Sequence, residues 1–180
     1  MFKSAGLDLL TLADLNLNLS PEETGVTFEE NSRIKATETA AFLQAHGHTD
    51  VIVLADDSGL EIDAMDGEPG VDSALFMGAD TPYETRNKAI IKTLENVPQE
   101  KRTARFVCVI TCVKNGEILT AHGEVNGVIT HELQGENGFG YDPIFYVPSY
   151  KKTMAELSVE EKNKISHRGQ ALRAMLGKLI

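Results

Sequence analysis

Apolar positions recur along this chain with two periods, one suited to strands and one to helices. Continuous apolar or β-rich runs mark Val51 to Ala55, Leu60 to Ala64, Arg105 to Lys114 and Glu117 to Thr130 as strands. The last two runs are joined by Asn115-Gly116, the strongest short hairpin signal. Helical spacing takes over elsewhere. Thr27-Phe28-Glu29-Glu30 forms a capping box and opens a helix to about His46, anchored by Phe28, Ile34 and Phe42. Thr81-Pro82-Tyr83-Glu84 combines a capping box with Pro at the first helical position and predicts a helix to about Asn96. Ser158-Val159-Glu160-Glu161 caps a short helix. A final helix is expected from about Ser166 to Gly177, with Leu172, Met175, Leu176 and Leu179 on its apolar face.

The remaining segments read as connections. Residues 1–5 look like a helix end stopped by Gly6, and Leu7 to Leu12 like a short strand. Ser20 to Gly25, Asp66 to Ser73 and Gln134 to Pro143 are loops, the last rich in glycine. Strands and helices alternate, which places the chain in the α/β class. No repeat, low-complexity tract or linker interrupts the sequence, so residues 1–180 are expected to form one compact domain.

Composition narrows the function. Of 180 residues, 42% are hydrophobic and 24% charged, ordinary for a globular protein. The net charge of −10 argues against a nucleic-acid polymer as partner, because a polyanion is repelled. A small anion remains possible where local cations or a metal reverse the field. The sequence contains no apolar run of membrane-spanning length and no signal-peptide pattern, so a cytoplasmic location is expected. Cys108 and Cys112 share one strand candidate, which puts their Cα atoms about 13 Å apart. A disulfide needs roughly 4.4–6.8 Å, so both are read as reduced core thiols.

Four segments carry candidate chemistry. Ala55-Asp56-Asp57-Ser58-Gly59-Leu60 follows the apolar Val51-Ile52-Val53-Leu54 and is expected to turn there, placing two carboxylates where α/β proteins hold hard cations and water. Gly138-Phe139-Gly140-Tyr141-Asp142-Pro143 offers close backbone approach and two aromatic faces to a flat ligand. Asp142 is a candidate acceptor for ring N–H groups. Lys162, His167 and Arg168 cluster around a helix start and suit a phosphate or a polar base edge. Glu23 can complete a cation site with Asp57, and Lys35 lies on the flank of the helix that follows.

Taken in order, these pieces resemble the inosine triphosphate pyrophosphatases, also called XTP/dITP diphosphatases. The matching stretches are Glu22-Glu23-Thr24-Gly25-x-Thr27-Phe28-x-Glu30-Asn31 with Lys35-Ala36, then Ala55 to Leu60, then Gly67-x-Pro69-Gly70-Val71-x-Ser73-Ala74. Ala104-Arg105-Phe106, Gly138 to Pro143 with Phe145, and the tail through Ser166-His167-Arg168-Gly169 complete the set. The resemblance implies a long twisted mixed sheet with helices on its faces, and two lobes with an active-site cleft between them. It implies hydrolysis of dITP, ITP and XTP to the monophosphate and pyrophosphate, cleansing the nucleotide pool. Asp57 would be the catalytic carboxylate and, with Glu23, a ligand of Mg²⁺ or another divalent metal. Lys35, Ser58, Phe139, Gly140, Tyr141 and Asp142 would contact the nucleotide, and Lys162, His167 and Arg168 would read the base. A homodimer is also implied. Asp56 is open between a second ligand and a supporting role.

One departure stands out. The family begins with a strand and a Thr/Ser-x-Asn-x-x-Lys phosphate loop, which has no counterpart near Met1. The difference is on the order of 15–20 residues. It predicts an exposed or association-covered sheet edge and a steep fall in turnover. It motivates one alternative to the pyrophosphatase, a nucleotide-binding or assembly protein without catalysis; a second alternative, independent of the loop, is a pyrophosphatase of different base choice, such as one acting on modified pyrimidines.

Overall fold

The computed structural model describes residues 6–180. The expected helix end before Gly6 lies outside these residues. Among the described residues there are four α-helices: α1 (Phe28–Ala45), α2 (Tyr83–Thr93), α3 (Val159–Ile165) and α4 (His167–Leu179). Five strands, β1 (Val53–Ile62), β2 (Thr103–Lys114), β3 (Glu117–Ile129), β4 (Phe145–Val147) and β5 (Lys152–Thr153), form one sheet in the order β1-β2-β3-β4-β5. The sheet is antiparallel, not mixed as expected. Its later strands are close in sequence, and short connections favour antiparallel neighbours. Val128 pairs with Tyr146, and Tyr146 with Thr153.

Local chemistry explains most boundaries. Thr27 accepts from the Glu30 amide while the Glu30 carboxylate accepts from the Thr27 amide, so α1 starts where the capping box places it. Ser158 and Glu161 do the same for α3. Ser166 Oγ accepts from the Gly169 amide at the start of α4. Asn115 and Gly116 both take positive φ, 51° and 80°, as a two-residue hairpin turn requires.

Three expectations are corrected. Leu7 to Leu12 is not a strand. Thr11 and Asp14 exchange side-chain and backbone hydrogen bonds, which fold the segment into a 3₁₀ turn at Ala13–Leu15. The capping box proposed at Thr81 is absent, because its hydroxyl donates back to the Met77 carbonyl and Pro82 is the cap residue instead. The supposed turn at Asp56-Asp57 is the middle of β1, which runs unbroken through Asp56 to Gly59. Pairing in a sheet outweighs the turn preference of Asp, Ser and Gly.

The chain divides into two compact units. Of the described residues, the first comprises 6–57, 109–122 and 171–180; its buried side chains include Phe28, Ala36, Leu43, Ile110, Cys112 and Met175. Inside it, Ser32 and Thr111 share a buried hydroxyl–hydroxyl hydrogen bond of 2.8 Å. The second comprises residues 58–108 and 123–170, with a core built on Leu60, Ile62, Ile90, Phe106, Ile129 and Phe145. Gly127 is obligatory here: a Cβ at that position would lie on the Phe145 ring and 2.6 Å from the Tyr146 carbonyl oxygen.

Candidate active site

In the first unit, β1 and α1 bring three charged residues together. Lys35 Nζ donates to Asp57 Oδ1 at 2.8 Å and to Glu23 Oε2 at 3.1 Å. Asp57 is 8% exposed, and its second oxygen, Oδ2, is buried without a hydrogen-bond partner. Burial pushes the Asp57 carboxyl above its ordinary value, against the opposing pull of Lys35. Burial also works against the Lys35 charge, but Asp57 and Glu23 outweigh it and hold the ammonium above its ordinary value. The arrangement is a site that already satisfies one cation and has a lone carboxylate oxygen to spare. Asp56 is half-buried and, as the neighbour of Asp57 on a strand, belongs to the opposite face.

In the second unit, a cavity of about 200 Å³ is lined by Ser58, Ser73, Phe139, Tyr141, His167 and Arg168 among others. That volume is below the range for a drug-sized ligand, so it suits a nucleobase better than a whole nucleotide. Its floor is aromatic. His167 stacks on Phe106 at 4.9 Å, and Phe106 packs against Phe145 at 4.3 Å. The Tyr141 hydroxyl donates to the Ser73 carbonyl at 2.8 Å, and burial pushes this phenol up to about 12.

Phe139 is 65% exposed, with Lys162 Nζ 4.7 Å and Arg168 Cζ 5.9 Å from its ring centre. Those are cation–π distances, so the ring is held although solvent reaches it. Arg168 Nη2 also reaches Ser58 Oγ at 3.5 Å. Asp142 is buried, and its Oδ2 accepts from Lys162 Nζ and from the Phe139 amide, the latter at 2.7 Å. That oxygen shapes the loop. Gly138 sits at φ +78°, and a Cβ there would collide with the Asp142 carboxylate.

The sequence-predicted residues thus fall into two groups. Glu23, Lys35 and Asp57 meet in the first unit, and Ser58, Phe139, Gly140, Tyr141, Asp142, Lys162, His167 and Arg168 in the second. Sequence reasoning missed Phe106 and Tyr83 in the pocket lining. In the sequence Phe106 is only part of the Ala104-Arg105-Phe106 stretch, and Tyr83 only part of a helix start. No local signal marks a strand or helix residue as pocket wall, since that depends on which elements pack together.

Fold and site define a class: an α/β protein with an aromatic, cation-flanked pocket and a lysine-bridged carboxylate pair. The model of the Ham1 family matches residues 1–178, and the chain belongs to that family. Among its relatives, the dITP/XTP pyrophosphatases of Clostridium perfringens and of an Exiguobacterium species are 45% and 49% identical. They match over 97% and 100% of this chain and 86% and 88% of their own. Among solved structures, the Staphylococcus aureus Ham1 protein superposes with a TM-score of 0.84 at 42% identity, covering 93% of this chain and 84% of that one. A HAM1 protein from Coxiella burnetii gives 0.79 at 45% identity, covering 88% and 79%.

Proposed function

We propose that this protein is a nucleoside triphosphate pyrophosphatase acting on dITP, ITP and XTP, releasing the monophosphate and pyrophosphate. The observation that carries the reading is the buried Asp57 carboxylate, with Lys35 on one oxygen and no partner on the other. The names carried by the relatives agree with it.

In this reading Asp57 Oδ2 accepts a hydrogen bond from the attacking water and orients it. The water oxygen bonds to the α-phosphorus while its proton passes to Asp57 Oδ2, the bond from that phosphorus to the bridging oxygen breaks, and pyrophosphate leaves with that oxygen. Water and triphosphate together account for every atom of the two products. Lys35 supplies positive charge where phosphate oxygens gather. Phe139 offers its ring to the purine, and Arg168 and His167 present donors to a 6-keto oxygen. An amino purine would place a donor against a donor there, and such mismatches discriminate strongly.

Mg²⁺ fits the residues present. Glu23 and Asp57 are hard oxygen donors drawn together by Lys35, and Asp57 Oδ2 is buried without a partner. Two carboxylates completed by substrate phosphates and water is a usual Mg²⁺ environment. When bound, the ion would neutralise triphosphate charge. We also infer a homodimer in the cytoplasm. No described helix is long and apolar enough to cross a membrane, and both cysteines are buried outside any disulfide.

Pyrophosphate release from dITP with Mg²⁺, beside dGTP and metal-free controls, tests the function. Metal-dependent release selective for dITP is expected. Binding of dITP without release would favour the non-catalytic alternative. Light scattering on a sizing column should give twice the 19.6 kDa of the chain.

A further inference from the structure

Two exposed aromatic side chains line the pocket of the second unit. Phe139 is one, and Tyr83, 38% exposed, is the other. Tyr83 is the first residue of α2, within the Thr81-Pro82-Tyr83-Glu84 helix start, and carries no site role in the family resemblance. Its ring is nevertheless held from more than one side. The Arg86 guanidinium lies 4.7 Å from the ring centre, and Tyr141 meets the ring edge-on at 5.3 Å and 90°. A Cβ built on Gly140 would come within 3.7 Å of the ring.

The clamp is itself anchored. Arg86 is 2% exposed and donates to the carbonyls of Ser73, Ala74, Gly78 and Ala79 at 2.7–3.3 Å. Its neighbour Asn87 donates to the Gly140 carbonyl at 3.0 Å. Arg86 thus fixes one wall of the pocket, Asn87 fixes the other, and Tyr83 stands on the same helix. An aromatic ring that is rigidly placed yet open to solvent loses little conformational freedom when a ligand covers it. Phe139 shares that description, with Lys162 and Arg168 as its cations.

We propose that Tyr83 is a second aromatic substrate contact, its ring packing against the purine held in this pocket, with Arg86 as the positioning residue that holds the ring in place. The proposal rests on the pyrophosphatase reading for the identity of the ligand. It assigns the contact to the ring and not to the hydroxyl. Aromatic contact with a base contributes equally to ground and transition states, so it acts on binding.

The test is steady-state hydrolysis of dITP with Mg²⁺ by the full chain and its Tyr83→Ala, Tyr83→Phe and Tyr83→Leu variants. Calorimetric binding of inosine 5′-monophosphate to each runs alongside. Tyr83→Ala should raise KM for dITP about tenfold with kcat nearly unchanged, and weaken the monophosphate by a similar factor. Tyr83→Phe should restore both values, which loss of fold could not do. Should Tyr83→Ala melt below the assay temperature, Tyr83→Leu keeps the apolar bulk without the ring and gives the same comparison. A KM and a monophosphate affinity that stay within about twofold in the Ala or Leu variant overturn the proposal. Failure of the Phe variant to restore them overturns the assignment to the ring. Monophosphate binding that depends on Tyr83 in a chain that releases no pyrophosphate would support the contact and sink the catalytic reading. No binding and no turnover by the parent chain would sink both.

Discussion

Asp57 holds one oxygen on Lys35 and buries the other without a partner, so its replacement separates binding from chemistry. Asp57→Asn keeps the shape and removes the negative charge. Its kcat for dITP should fall by at least about 10²-fold, while the affinity for inosine 5′-monophosphate changes little. Tyr141 offers a pH-dependent counterpart. Burial raises its phenol from 10.0 to about 12. The folded protein therefore holds that proton more tightly than the unfolded chain does. The stability it contributes is complete below pH 10 and is lost as pH climbs towards about 12. The amount is on the order of 2–3 kcal/mol. An ultraviolet titration of the four tyrosines should show one phenolate appearing late, and Tyr141→Phe should abolish that late step. The local residue types were legible in the sequence at this scale. Asp57, Phe139 and Arg168 stand out by residue type and neighbours, whereas the pairing of Asp142 Oδ2 with Lys162 joins residues twenty apart and is decided by the tertiary structure.

At the scale of elements, helix starts proved readable because a cap is a contact between residues three apart. The boxes at Thr27 and Ser158 form as the sequence predicts. Thr81 fails because a second local acceptor, the Met77 carbonyl, takes its hydroxyl. The Asp56-Asp57 turn fails for a longer-range reason, since β1 continues as part of a five-stranded sheet. Arg102 shows how elements are tied inside the second unit. Its buried guanidinium donates to the carbonyls of Leu94, Ile129 and Thr130 at 2.5–2.9 Å, joining the end of α2 to the start of β2 and the end of β3. Arg102→Leu removes all three of these hydrogen bonds, and only the Leu94 carbonyl keeps a second donor among the loop contacts, the Val97 amide at 2.9 Å. The substitution should lower the unfolding free energy by about 3–5 kcal/mol, read from the urea midpoint.

At the scale of the whole molecule, the two thiols report on cooperativity. Cys108 and Cys112 are both fully buried and unbridged. Burial also pushes the Cys112 thiol up, away from the reactive thiolate. Native protein should react with a thiol reagent only at the rate of its opening, and denaturant should release two fast thiols together. One fast thiol in the native state would contradict that burial. The class of the chain, its helix starts, its hairpin and its chemistry-bearing residue types follow from composition and near-neighbour spacing, because caps, turns and hydrophobic periods are local interactions. The continuous strand through Asp57, the lysine bridge from Glu23 to Asp57, and the pocket that gathers Ser73, Tyr83, Phe106 and Arg168 depend on contacts across tens of residues. Those contacts are selected by burial and hydrogen-bond satisfaction over a whole unit, which no short stretch of sequence encodes.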